Sequence, residues 1–238
     1  MVGKQIFSSS YQIIALYGAI VGFFMAKRWG GHKSLFGKTL IFFSIGLFLQ
    51  FFGQFTYGYY NIFQHIAVPY PSLGDVGYFG STVAYIIGAV YLLKTTEFTV
   101  SWSFLRNKFY TILIPCILLL ISYWFFLRGY EFDWTNKLRI FLDFGYPFGD
   151  ALYISIALIA LVASYNFLGG SMRKSILLLI FALIIQYASD FTFLYQANAG
   201  TWSIAGFNDY SFSICYFLMT VALIHIGQMS IKMKNGLI

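Results

Sequence analysis

The sequence predicts an all-α polytopic membrane protein with seven transmembrane helices, two parallel three-helix repeats joined by one linker helix. Three observations carry that expectation. Hydrophobic residues make up 59% of the chain and charged residues 10%, and several apolar runs reach the roughly 20 residues that cross a ~30 Å hydrocarbon core. Basic residues fall between these runs with a strong bias to alternate connections, as topology signals do. The stretch Ile176 to Tyr195 also has a twin 136 positions earlier, Leu40 to Tyr59, in which Gln50, Phe55, Thr56 and Tyr59 recur as Gln186, Phe191, Thr192 and Tyr195.

The first helix is expected from about Tyr11 to Ala26, stopped by the basic, glycine-containing turn Lys27 to Gly31. The second runs from about Lys38 to Tyr59. A loop with His65, Pro69, Pro71 and Ser72 leads to Gly74 and Asp75, which open a third helix reaching about Leu93. A fourth spans roughly Phe109 to Leu127 around Pro115. The loop Arg128 to Tyr146 carries both signs of charge and a helically spaced set, Leu138, Ile140, Phe141 and Phe144, that reads as a short interfacial helix. Pro147, Phe148, Gly149 and Asp150 then open a fifth helix to about Phe167, before Gly169 and Gly170. The sixth is Ile176 to Tyr195. Asp209 starts the seventh, which ends near Gln228. With ten residues left after Gln228, no cytoplasmic catalytic domain is expected within the chain, and no cleavable signal peptide is expected at its start.

Lys27, Arg28, Lys33 and Lys38, then Lys94, Arg106 and Lys108, then Arg173 and Lys174, and finally Lys232 and Lys234 share one side. Lys4, Arg128, Lys137 and Arg139 lie on the other. The positive-inside rule therefore puts the N-terminus outside and the C-terminus in the cytoplasm of an inner membrane. Apart from Glu97, every acidic residue falls on the outer side or in the outer half. The net charge of +7 is thus spread over connections rather than gathered in a patch, and no nucleic-acid partner is expected.

The register extends beyond the twin stretches. Ala15-Leu16-Tyr17 maps onto Ala151-Leu152-Tyr153, Lys38-Thr39 onto Lys174-Ser175, and Asp75 meets Asp209 with a slip of two. Repeat A covers about residues 11–93, the linker helix about 109–127 and repeat B about 146–228. The odd linker helix keeps the repeats parallel, as in some transporter folds. A competing parse makes three hairpins, because Pro71 to Tyr78 and Pro147 to Tyr153 share Pro, Gly-Asp and Tyr.

The polar residues of the spans carry the functional reading. Gln186 and Asp190 stand four residues apart and so share a helix face, as do Gln50 and Gln54. From Lys174, a rise of ~1.5 Å per residue puts Gln186 about 18 Å and Asp190 about 24 Å across, in the outer half. Asp190 reads either as a proton-titrating or cation-binding group in an outward-open pocket, or as a neutral acid bonded to a neighbouring Gln or Tyr. The glutamines also suit interhelical hydrogen bonding. Asp75, Asp150 and Asp209 read as helix-start carboxylates, meeting free N–H groups and the positive end of the dipole. Tyr57, Tyr59, Tyr78, Tyr85, Tyr187 and Tyr195 supply candidates for an aromatic pocket, of which Tyr57, Tyr78 and Tyr187 are assigned to the ligand site with the polar set. Cys116 and Cys215 lie in apolar spans, so neither a disulfide nor a metal is expected. His32, His65 and His225 fall on different sides, and no nucleophile, metal or phosphate-loop constellation forms, so no enzyme activity is expected.

Tyr70-Pro71-Ser72-Leu73-Gly74-Asp75 with Tyr78, and Tyr146-Pro147-Phe148-Gly149-Asp150 with Tyr153, resemble the multi-helix membrane input domains found in front of bacterial diguanylate cyclase and histidine kinase modules. That resemblance implies a sensory domain with a small-molecule ligand, read by a separate cytoplasmic signalling protein or a homo-oligomer. The 3+1+3 plan is also similar to opsins and semi-symmetric sugar transporters. Retinal needs a lysine in the last helix, however, and none lies between Asp209 and Gln228; the transporters' Pro-Gln pair is absent too. The alternatives to a sensor are a small-molecule transporter rocking two repeats around the same polar cluster, or a structural subunit of a membrane complex.

Overall fold

A computed structural model describes residues 2–66, 70–95, 109–128, 130–164 and 170–234, all of its regular structure helical. Pro69, Glu97, Arg106, Lys108 and Gly169, used above for loops and topology, lie outside the described residues. The helices are α1 Val2–Ser10, α2 Gln12–Arg28, α3 Leu35–Phe63, α4 Gly74–Lys94, α5 Tyr110–Ser122, α6 Lys137–Ser164, α7 Gly170–Asn198 and α8 Phe207–Lys234. Among the described residues, six apolar stretches are long enough to cross a membrane: Gly3–Arg28 across α1 and α2, then one in each of α3, α4, α6, α7 and α8. The fourth expected helix is the short member, α5, which passes into a five-residue π turn at Tyr123–Leu127.

Local chemistry fixes most ends. Ser34 caps α3 by accepting the Gly37 N–H at 2.9 Å. Lys27 and Arg28 in the last turn of α2, and Lys94 in that of α4, put positive charge at the negative ends of those dipoles. Asp75 and Asp209 stand in the first turns of α4 and α8, as the sequence suggests.

Asp150 does not open a helix. The expected interfacial segment and the expected fifth helix are one continuous α6 beginning at Lys137, so Pro147 and Asp150 lie inside it. Proline usually signals a helix start because its missing N–H costs nothing there. Within a membrane bundle neighbouring groups compensate the lost bond and a proline is carried mid-helix, as Pro115 is in α5. The first helix likewise begins earlier than Tyr11, which forms the turn between α1 and α2.

Packing closes a ring in the order α2, α3, α4, α6, α7, α8 and back to α2, with α5 outside it against α6. Small residues set the closest approach. A methyl group on Gly77 of α4 would lie 2.5 Å from the Leu49 carbonyl oxygen and 2.6 Å from the Gly53 nitrogen, so α3 and α4 meet backbone to backbone there. Gly46 leaves a slot for the buried Tyr85 ring, whose Cε1 would be 2.2 Å from an added Cβ.

Outward faces are apolar, with Phe24, Phe55, Phe181 and Phe217 more than half exposed. So much exposed aromatic surface suits lipid rather than water. Along the ring axis the interior divides in two. Towards the end where Lys27 and Lys174 lie it is filled by Leu40, Phe43, Leu92, Leu179, Met219 and Leu223, all fully buried. Towards the other end it becomes polar.

Candidate functional site

The polar half is built from pairs one helical turn apart. On α3, Gln50 accepts from the Tyr216 hydroxyl of α8 at 2.8 Å and donates to the Ser81 Oγ of α4 at 2.7 Å, so one amide joins three helices. One turn on, Gln54 accepts from the Tyr78 hydroxyl at 2.5 Å and donates to the Ser8 carbonyl of α1 at 3.1 Å. On α7 the equivalent pair turns inward on itself. Gln186 Nε2 donates to Asp190 Oδ2 at 2.8 Å, and Gln186 Oε1 faces the Cys215 thiol at 3.2 Å. Among the described residues, Asp190 Oδ1 has no hydrogen-bond donor.

Asp75 and Asp209 are held differently and alike. Asp75 Oδ2 accepts the Ser72 N–H at 2.7 Å, and Oδ1 accepts the Tyr146 hydroxyl of α6 at 2.8 Å. Asp209 Oδ2 accepts the Ala205 N–H at 2.8 Å, and Oδ1 faces the Tyr11 hydroxyl at 3.4 Å. Each carboxyl therefore ties down the turn before its own helix and reaches a tyrosine distant in sequence.

These three carboxyls line one cavity of about 40 Å³, room for roughly three waters at ~10–15 Å³ each. Gln54, Tyr57 and Tyr78 also line it, with Tyr11, Tyr146, Phe212 and Asn208 around them. Tyr70, from the segment before α4, and Trp202, from between α7 and α8, line its loop end. The aromatic walls brace one another: Tyr57 meets Trp202 edge-on at 5.7 Å and Phe193 at 6.1 Å between centroids. No Lys, Arg or His lines the cavity among the described residues.

The loop end is latched through Asp143. Its Oδ1 accepts the Tyr70 hydroxyl and its Oδ2 the Tyr130 hydroxyl, both at 2.7 Å, and the Arg139 guanidinium lies 3.7 Å away. Burial, then the bond to Asp143, pushes the Tyr130 hydroxyl up to about 12 and that of Tyr70 higher still, so both remain donors throughout the physiological range. At the exposed surface, the Thr135 hydroxyl and N–H hold the Asp133 carboxyl below its ordinary value.

Of the residues singled out from sequence, Asp190, Gln54, Tyr57 and Tyr78 come together on the cavity. Gln50 and Gln186 do not line it: Gln50 connects three helices, and Gln186 holds Asp190 on its own helix. Tyr187 does not join them. It follows Gln186 by one residue, about 100° around the helix, and its hydroxyl pairs with Ser122 of α5 at 3.3 Å, outside the ring. Tyr59 and Tyr195 are exposed, and Asp150 is buried within α6 facing the Thr82 hydroxyl at 3.5 Å. Asp75 and Asp209 line the cavity as well as starting helices. Tyr11 and Tyr146 were not anticipated as lining residues; they stand 135 positions apart, one off the internal register, and that near-match is the signal that points to them. The chain matches no protein-family model, no curated protein and no solved structure.

Proposed function

We propose that this chain is a receptor-like or sensory integral membrane protein of the inner membrane, with a ligand-responsive pocket in the outer half of its bundle. The observation that carries the reading is the division along the ring axis: a carboxylate and aromatic cavity at one end, and a mainly apolar packing of the buried Leu40, Phe43, Leu179, Met219 and Leu223 at the other. A binding site that ends blindly suits detection; transport needs a polar route through. Positive-inside orientation puts the cavity end outside.

In this reading α2–α4 and α6–α8 are two parallel three-helix repeats around the linker α5. The shared register supports it, as do the closest contacts between the sets, α4 with α6 and α2 with α8. So do the crossed pairs: a tyrosine near the start of each set reaches the Asp that opens the last helix of the other, Tyr11 to Asp209 and Tyr146 to Asp75. A ligand drawing these carboxyls together would change how the sets pack, and a cytoplasmic partner would read the change at the basic end.

Single cysteines in a Cys116→Ser, Cys215→Ser background test the reading with a membrane-impermeant maleimide, applied to intact cells for the outer side and to inverted membrane vesicles for the cytoplasmic side. Trp202→Cys should react from outside, and Leu179→Cys from neither side. Reaction of Leu179→Cys from both sides would establish a through-path and overturn the sensor in favour of the transporter; reaction of Trp202→Cys from the cytoplasmic side alone would reverse the orientation.

A further inference from the structure

The three carboxyls of the cavity are not equivalent. Asp75 and Asp209 each have one oxygen on a backbone N–H, the other facing a tyrosine hydroxyl, and a place in a first turn where the helix dipole is positive. Asp190 has none of these: it lies within α7, its one donor is the Gln186 amide, and Oδ1 is free among the described residues. A carboxyl in so apolar a setting is either neutral or paired with an opposite charge, because desolvation costs several kcal/mol per ion even after relaxation. No Lys, Arg or His on the cavity wall supplies it among the described residues.

The walls indicate what kind of cation would. Tyr57, Tyr78, Tyr146 and Trp202 surround the space with ring systems, the surfaces that attract diffuse, weakly hydrated ammonium groups. A metal ion is less well served, since among the described residues no three Asp, Glu, His or Cys side chains converge to hold one. The size is also suitable. Three displaced waters correspond to about 90 Å³ of liquid at ~30 Å³ each, the scale of a small ammonium headgroup.

We propose that the cavity binds a small organic cation, an amine or quaternary ammonium headgroup, with Asp190 as its counter-ion and Tyr57, Tyr78 and Trp202 as its aromatic walls. This rests on the receptor reading and names its ligand class. Asp75 and Asp209 add negative potential, and their crossed tyrosine bonds place the cation between the two helix sets.

The test compares choline with 3,3-dimethylbutan-1-ol, which has the same shape without the charge, by calorimetric titration of the full chain in lipid nanodiscs. Choline should bind at least tenfold more tightly, and Asp190→Asn should reduce the preference to less than twofold while leaving the thermal transition in place. Equal binding of both compounds by the unmodified protein, tighter binding of the alcohol, or an undiminished preference in Asp190→Asn would overturn the proposal. Because the first comparison needs no variant, a folding defect in Asp190→Asn cannot obscure it. Failure here with Trp202→Cys still labelled only from outside would remove the ligand class alone; labelling of Leu179→Cys from both sides would remove the receptor reading.

Discussion

Helices α3 and α7 carry the same pattern 136 positions apart and use it differently. On α3 the amides of Gln50 and Gln54 reach Tyr216, Ser81, Tyr78 and Ser8 on other helices, whereas on α7 Gln186 turns to its own helix and donates to Asp190. The small residues follow suit: Gly46 and Gly53 let Tyr85 and Tyr78 lie against the α3 backbone, and the matching α7 positions hold Ala182 and Ser189. One copy of the pattern has been spent on holding helices together. The other leaves a carboxyl oxygen facing a cavity.

The largest effect should come from filling the α3 slot. Gly46→Ala puts a methyl group 2.2 Å from a fully buried ring, and overpacking of this kind costs about 1–3 kcal/mol. The converse change, Ala182→Gly on α7, should cost about 0.5–1 kcal/mol from backbone freedom. Thermal unfolding in one detergent measures both, and equal losses would erase the distinction between the helices.

Next in size is Gln50→Leu, which strands the Tyr216 hydroxyl and loses two interhelical bonds. At about 0.6 and up to 1.7 kcal/mol each, a loss of about 1–3 kcal/mol is expected in the same assay. Gln186→Leu, which breaks only the bond to Asp190 and a weak thiol contact, should lose less than half as much.

The smallest effect on stability belongs to Asp190→Asn, expected within about 0.5 kcal/mol of the unmodified protein because no partner on another helix is lost. A loss as large as that of Gln50→Leu would make Asp190 one more connector.

Much of this was legible in the sequence. Span lengths follow from apolar runs, and the shared face of Gln186 and Asp190 follows from their spacing. The start of α6 was not, because Pro147 and the Gly149-Asp150 pair imitate a helix opening and only the bundle around them lets the helix run through. The turn of Tyr187 away from Gln186 follows from their spacing, but its partner, Ser122 on a helix packed outside the ring, was not legible. The crossed bonds of Tyr11 and Tyr146 lay furthest from view, since a pair 198 residues apart and a pair 71 apart are brought together only by closure of the ring.

Hydroxyl-radical footprinting of the unmodified protein in nanodiscs tests the division between cavity and apolar packing most directly. Oxidation should reach Trp202 and Tyr57 at the cavity and leave Met219 and Phe43 protected. Oxidation of Met219 to the extent seen at Trp202 would mean that water passes through the bundle, and would contradict the blind pocket on which the sensor reading stands.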